Sequence, residues 1–466
     1  MNAEQFRRRL RQEAERWWQE GLIDATLYGQ LAERYRFAAL ETEARSRFTA
    51  ILLALGGLLL GLSAITLVAA NWELWSRPQK LGLLLSVFLS VSVVGFWLWR
   101  SRDRGGRHKL GAALLLLSGL LLGANLGLVS QMFHQSGPLY HLLLVWSGGV
   151  WLMALSLQMP ALAMLSVLLA GSTYIPALFD ALRSPIDLWQ GVILQMPLLT
   201  LLLFLPLAQV CRSPVTFGLA GLLLTGTLTA SALIPQSWAS PMALLLAPAL
   251  LWAYGVLPAR PWVEPAFQAI ARPLALLVLA ALLYGLSFNF WSGFRLHLTV
   301  VEPWSQWVTL ELVLLMAIAL GLWLRPGDRW RHWRFWQQPR ALNSGTLAVL
   351  LGGASLTLLL HLQVVPLPWL GPLVLNGLFF GLAIATLRDS LALSHRPAFW
   401  GGVGLLVLGI TTRMLEYNTD LMLKALVFAA VGLGVILAGL WFERQLQAAA
   451  AASNLSPAES LPLTED

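Results

Sequence analysis

The sequence predicts an all-α protein, a polytopic transmembrane helix bundle with about 14 spans behind a short N-terminal cytoplasmic helical hairpin. Three observations lead there. Of the 466 residues, 57% are hydrophobic and 12% are charged, about half the roughly 25% charged fraction of a soluble domain. Apolar runs close to twenty residues long recur along the chain, the length that crosses ~30 Å of hydrocarbon at ~1.5 Å per residue with every backbone group bonded inside the helix. Lys and Arg gather in short clusters at the ends of these runs, so the formal charge of +8 is a topology signal rather than a nucleic-acid footprint. The expected partner is the lipid bilayer, and no nucleic-acid partner is expected.

Residues 1–47 form the cytoplasmic basic hairpin. Ala3 to Glu20 has helical composition, Gly21 suits a left-handed stop, and Asp24 can cap a second helix. Phe6, Leu10, Trp17 and Trp18 fall roughly on one face, with Arg7, Arg8, Arg9 and Arg11 around it. Such a hairpin packs its apolar face on its own second helix, lies on an anionic leaflet, or offers a protein-partner site. The segment is too long and too charged to open a secretory signal peptide, so the first apolar run is expected in the mature protein.

Residues 48–442 form the transmembrane bundle. The apolar runs cover 48–70, 81–99, 110–129, 140–157, 161–178, 192–210, 215–233, 242–257, 274–290, 308–324, 346–362, 370–387, 398–414 and 421–442. The shortest, 161–178 and 242–257, are flanked by Pro and are the weakest spans. With the N-terminus inside, the clusters from Arg100 to Lys109 and from Arg325 to Arg340 both fall inside. The Lys/Arg asymmetry is then about five to one, which favours an even number of spans and both termini in the cytoplasm. Residues 443–466, Ala-rich and then polar, have the composition of a disordered cytoplasmic tail.

Small residues at four-residue spacing would let helix backbones approach closely: Gly57 with Gly61, Gly119 with Gly123 and Gly127, and Gly377 with Gly381. A single cysteine, Cys211, excludes an internal disulfide and a Cys-based metal cluster. There is no phosphate loop, no dinucleotide-binding turn, no paired histidines at metal spacing and no nucleophile elbow. No catalytic residue, metal or cofactor is therefore expected, and the protein reads as non-enzymatic.

Polar residues inside apolar runs are costly and tend to face a bundle interior or water. Asn125, Gln195, Asn289, Glu311, His361, Asn376, Arg413 and Lys424 are such residues, most of them toward the outer ends of their spans. Together with Gln131 and His134 in an adjoining loop they form a candidate polar cavity open to the outside; local caps and interhelical hydrogen bonds are the alternative. Glu311 reads as an interfacial carboxylate or a coupling acid. Around the last outer turn, Arg413 and Glu416 are one helical turn apart and Asp420 precedes Lys424 by four, so the charges flanking Tyr417 are placed to pair. That cluster is either a clamp on the last hairpin or a proton or anion site.

Several segments also resemble a known family. The stretch 17–35, WWQEGLIDATLYGQLAERY, resembles the helical opening of the bacterial predicted membrane protein family called domain of unknown function 2157. Asn71 and Trp72 are similar to an Asn-Trp pair after that family's first span, and Gln131, Gly137 and Trp146 to its pattern around the third and fourth spans. The closing segment from Arg413 to Lys424 is also similar. The resemblance implies a bacterial inner-membrane location and carries no catalytic residue.

Among function classes, a transporter or permease with an outward-facing polar cavity comes first. A non-enzymatic assembly or sensory protein acting through its N-terminal hairpin is the alternative, and the oligomeric state stays open.

Overall fold

A computed structural model describes residues 3–35, 37, 76–101, 106–134, 137–183, 185–232, 240–258, 263–289, 291, 303–324, 342–393, 395–417 and 420–454, with isolated positions between 52 and 66. Among the described residues every regular element is helical. Eleven helices among the described residues are long and apolar enough to cross a membrane, or up to twelve when one bent pair counts as a single span. They match eleven of the expected runs. Of the other three, 192–210 is the bent pair, 242–257 is a helix of 16 residues, and 48–70 lies almost wholly outside the described residues.

The chain divides into two compact units, Met1–Thr173 and Tyr174–Asp466. In the first, α1 (Ala3–Gln19) and α2 (Ala25–Arg34) pack on each other. Gly21 takes a φ of +73° between them, a left-handed conformation that costs a residue without a Cβ little. Asp24 caps α2 by accepting from the Leu27 N–H at 2.9 Å. The Thr26 hydroxyl, and then that N–H, hold the Asp24 carboxyl below the usual carboxylate range. Ala14 and Phe37 are buried among Leu10, Tyr28 and Leu31, while Trp17, Trp18 and Leu22 stay exposed.

Also in this unit are α3 (Arg77–Trp99), α4 (Gly106–Met132), α5 (Leu139–Leu157) and the start of α6 (Pro160–Ala181). Helices α3 and α4 approach closely because glycines meet backbone: a Cβ on Gly111 would lie 2.2 Å from the Trp99 nitrogen. Ser92 and Ser118 share a hydrogen bond of 2.6 Å across this pair. Where α4 meets α5, the Trp146 indole fills the space a Cβ on Gly123 would need, 2.2 Å away. Its N–H donates to the Gly119 carbonyl at 2.7 Å.

The second unit holds α7 (Leu188–Leu194), α8 (Met196–Val210), α9 (Pro214–Ala232), α10 (Ser240–Gly255) and α11 (Pro265–Leu286). Beyond them come α12 (Pro303–Leu324), α13 (Ser344–Val364), α14 (Leu370–Ala392), α15 (Arg396–Glu416) and α16 (Leu421–Asn454). The short helix α10 is central, packing on α9, α11, α12 and α13. Eleven of its residues from Met242 to Ala253 are buried, which is why it is apolar all round.

Two expectations change. The last helix runs to Asn454 instead of ending at Phe442, because Ala448 to Ala452 is the strongest helix-forming composition available. Gly377 and Gly381 would meet nothing within 4 Å on gaining a Cβ, since both face outward, so their spacing serves no close approach among the described residues.

Candidate functional site

The polar residues singled out in the sequence fall into two groups in the second unit and one in the first. In the first unit, Asn125 on α4 is buried and its amide donates to the Leu84 carbonyl of α3 at 3.3 Å. This is an interhelical bond of the kind that satisfies a polar group in hydrocarbon. Gln131 and His134 are exposed at the end of α4, where the His134 N–H donates to the Gln131 carbonyl at 3.2 Å. Gly137 lies exposed just before α5. Asn71 and Trp72 lie outside the described residues.

The first group of the second unit surrounds the C-terminal end of α11, whose last carbonyls lack partners within their own helix. Three side chains supply donors. Arg413 on α15 donates from one Nη to the Ser287 carbonyl at 2.9 Å and from the other to the Ser287 hydroxyl at 3.1 Å. Asn376 on α14 donates to the same carbonyl at 3.0 Å. The indole of Trp291 donates to the Leu286 carbonyl at 2.8 Å.

Arg413, 6% exposed, also pairs with Glu416 and lies 3.9 Å from the centroid of the Phe288 ring. Glu416 in turn accepts from the Asn289 N–H at 2.6 Å. His361, in the π-helical turn Leu360–Val364 that ends α13, stands edge-on to Trp291 at 4.6 Å and accepts from the Leu367 N–H at 2.8 Å.

A cation and hydrogen-bond donors at a helix C-terminus are a capping arrangement. The charge of Arg413 is balanced by Glu416, and the cluster joins α11, α14 and α15. It is a structural knot. Ser287, which receives three of these bonds, was invisible to sequence reasoning because nothing in its neighbourhood marks it as a shared acceptor.

The expected partner of Lys424 differs. The Lys424 N–H donates to the Asp420 carbonyl at 3.1 Å, but the two side chains form no ion pair among the described residues. Asp420 precedes the first residue of α16, so the four-residue rule for helix faces does not apply to it. Tyr417 and Asp420 are exposed and Lys424 half-buried. Lys424→Met is therefore expected to change the stability of the purified protein by no more than about 0.5 kcal/mol, read from thermal unfolding; a large drop would mean that Lys424 has a structural partner.

The second group lies at a sharply bent pair of apolar helices. Helices α7 and α8 meet at a bend of 60° marked by Gln195 and Pro197, and a π-helical turn, Thr200–Phe204, follows inside α8. A proline lacks the N–H that would continue the ladder, and breaks of this kind at membrane depth are tolerated only where other groups satisfy the backbone. One such group is Glu311. Its carboxylate accepts from the Leu198 N–H at 2.7 Å, four residues beyond Leu194 and across the bend.

On α12, the buried positions are Val308, Glu311, Leu312, Leu315 and Ala319, the spacing of one inward helix face. Glu311 is 3% exposed, inside this seam. Beside the bend, α8 packs on α9, and the Tyr174 hydroxyl of α6 shares a 2.6 Å hydrogen bond with Ser231 of α9. The sequence signal for this site was Pro197 following Gln195 within an apolar run, read as one continuous span.

Among the described residues no group of three or more His, Cys, Asp or Glu side chains could hold a metal ion. Cys211 is buried and forms no disulfide among the described residues.

Residues 15–163 match the model of a family described as predicted membrane protein, domain of unknown function 2157. The matched stretch falls within the first compact unit. It contains the segments around Trp17, Asn71 and Trp146 that resemble this family, and excludes the closing hairpin from Arg413 to Lys424. Comparison with curated proteins gives no match, and comparison with solved structures gives none either.

Proposed function

We propose that this multi-pass membrane protein is a non-enzymatic transporter or permease of the bacterial inner membrane, with both termini in the cytoplasm and about 14 spans. The observation that carries the reading is the interrupted span formed by α7 and α8, with the buried Glu311 carboxylate bonded across its bend. A discontinuous helix with a buried acid beside it is how transporters place a polar group at membrane depth next to backbone that can rearrange. This moves the centre of interest from the outer rim to the bend, because Asn125, Asn376 and Arg413 are each engaged in bonds that hold helices together.

Alternating access is the property to test. In a Cys211→Ser background, single cysteines at Gln195 and Leu198 are expected to react with a membrane-impermeant maleimide from either face of sealed vesicles of known orientation. Reaction from neither face, or from one face only, would remove the transport reading.

A second reading, an assembly or sensory protein, is favoured by the exposure of Trp17, Trp18 and Leu22 on the α1 and α2 pair. It predicts that Leu22→Asp changes the size of the complex in native membranes while labelling at the bend is unaltered.

A further inference from the structure

Across α7, α8, α9, α10 and α12, Glu311 is the sole Asp, Glu, Lys, Arg or His residue. It has no ion pair among the described residues. The titratable side chains on the helices around it are two tyrosines and Asp180 of α6, whose carboxylate accepts from the Gln190 amide of α7 at 2.9 Å. Tyr174 of α6 shares its hydroxyl hydrogen bond with Ser231, and Tyr254 of α10 packs 5.1 Å from Phe217. Glu311 lies in the seam with Val308, Leu312, Leu315 and Ala319 of the largest apolar core, so a charge there faces neither water nor a countercharge. One backbone N–H is a poor substitute for hydration of a carboxylate. What such a group takes is a small cation, and the smallest needs no coordination shell.

Resting on the transport reading above, we propose that Glu311 is a reversible proton-binding site and that the proton is the ion coupled to movement at the bend. Binding forms one O–H bond on the carboxylate, and release returns that proton to water admitted at the break. Nothing else is made or broken. In both states Oε1 can accept from Leu198, but a bond to an ionised carboxylate is about twice as strong as a neutral one. Loading the proton therefore loosens the tie between α12 and α8, and unloading tightens it, which links occupancy to the geometry of the interrupted span.

The test is infrared spectroscopy of the full-length protein in lipid nanodiscs, titrated with pH. Glu311→Gln serves as reference, since its amide oxygen keeps the acceptor for Leu198, and its thermal midpoint is checked against wild type. The expected result is a carboxylic-acid carbonyl band that shifts in heavy water, fades reversibly as pH rises, and is missing from Glu311→Gln. It is also expected to be the same in sodium and choline chloride. A spectrum in which wild type and Glu311→Gln titrate alike overturns the proposal, as does a band that sodium removes at fixed pH, which would make this a sodium site. The maleimide experiment fails independently: a proton band with labelling from one face only would keep the site and discard transport.

Discussion

Arg413→Met is expected to destabilise the folded protein by about 3–5 kcal/mol, the cost of leaving one member of a buried pair without the other. The Arg413 side chain is 8% exposed and that of Glu416 19%, so little water reaches either. Among the described residues, removing the guanidinium leaves Glu416 with the Asn289 N–H as its one remaining hydrogen bond and strips the Ser287 carbonyl of one of its two side-chain donors. Tryptophan fluorescence during heating, in detergent, reads the change. Arg413→Lys should recover part of the loss, because an ammonium keeps the charge but cannot reach the Ser287 carbonyl, its hydroxyl and Glu416 in one planar fork. The double variant Arg413→Met with Glu416→Gln should lose less than Arg413→Met alone, since no uncompensated charge remains. An unchanged midpoint for Arg413→Met would refute the knot at the end of α11.

Gly123→Val is the second large effect, expected at about 1–3 kcal/mol or more from overpacking. The nearest atoms to a Cβ there belong to the Trp146 ring, at 2.2 to 2.5 Å. The indole must rotate away and surrender its bond to the Gly119 carbonyl. Gly127→Val is the matched control, for its Cβ would meet only Leu142 at 3.8 Å. Resistance to limited proteolysis in the first unit should fall for Gly123→Val and hold for Gly127→Val. Trp146→Leu added to Gly123→Val should restore part of the loss by vacating the space. Equal behaviour of the two glycine variants would mean that the α4 and α5 contact does not depend on the ring.

These two cases show which sequence signals carried physical content. The row Gly119, Gly123, Gly127 was visible as spacing, yet one member of it faces a ring and another faces a leucine at ordinary contact distance. Gly377 and Gly381 have the same spacing and face open space. Spacing says which residues share a face; it does not say what lies opposite. The same gap explains Glu311. Its place in an apolar run was plain, but whether the run turned that position toward lipid or into the seam depended on the rotation of α12 against α8 and α10. Arg413 and Glu416 were recognisable as a pair because both sit in one helix, whereas Ser287, 126 residues from Arg413 along the chain, was not.

Helical class, membrane residence and the approximate location of most spans followed from amino-acid order alone, because length, apolarity and cap residues such as Gly21 and Asp24 act within a turn or a span. The identity of α10 as a central helix, the break at Gln195 and the burial of Glu311 came from packing. A stretch of hydrocarbon side chains reads the same whether its neighbours are lipid tails or other helices, so the difference lies in contacts between residues far apart in the chain.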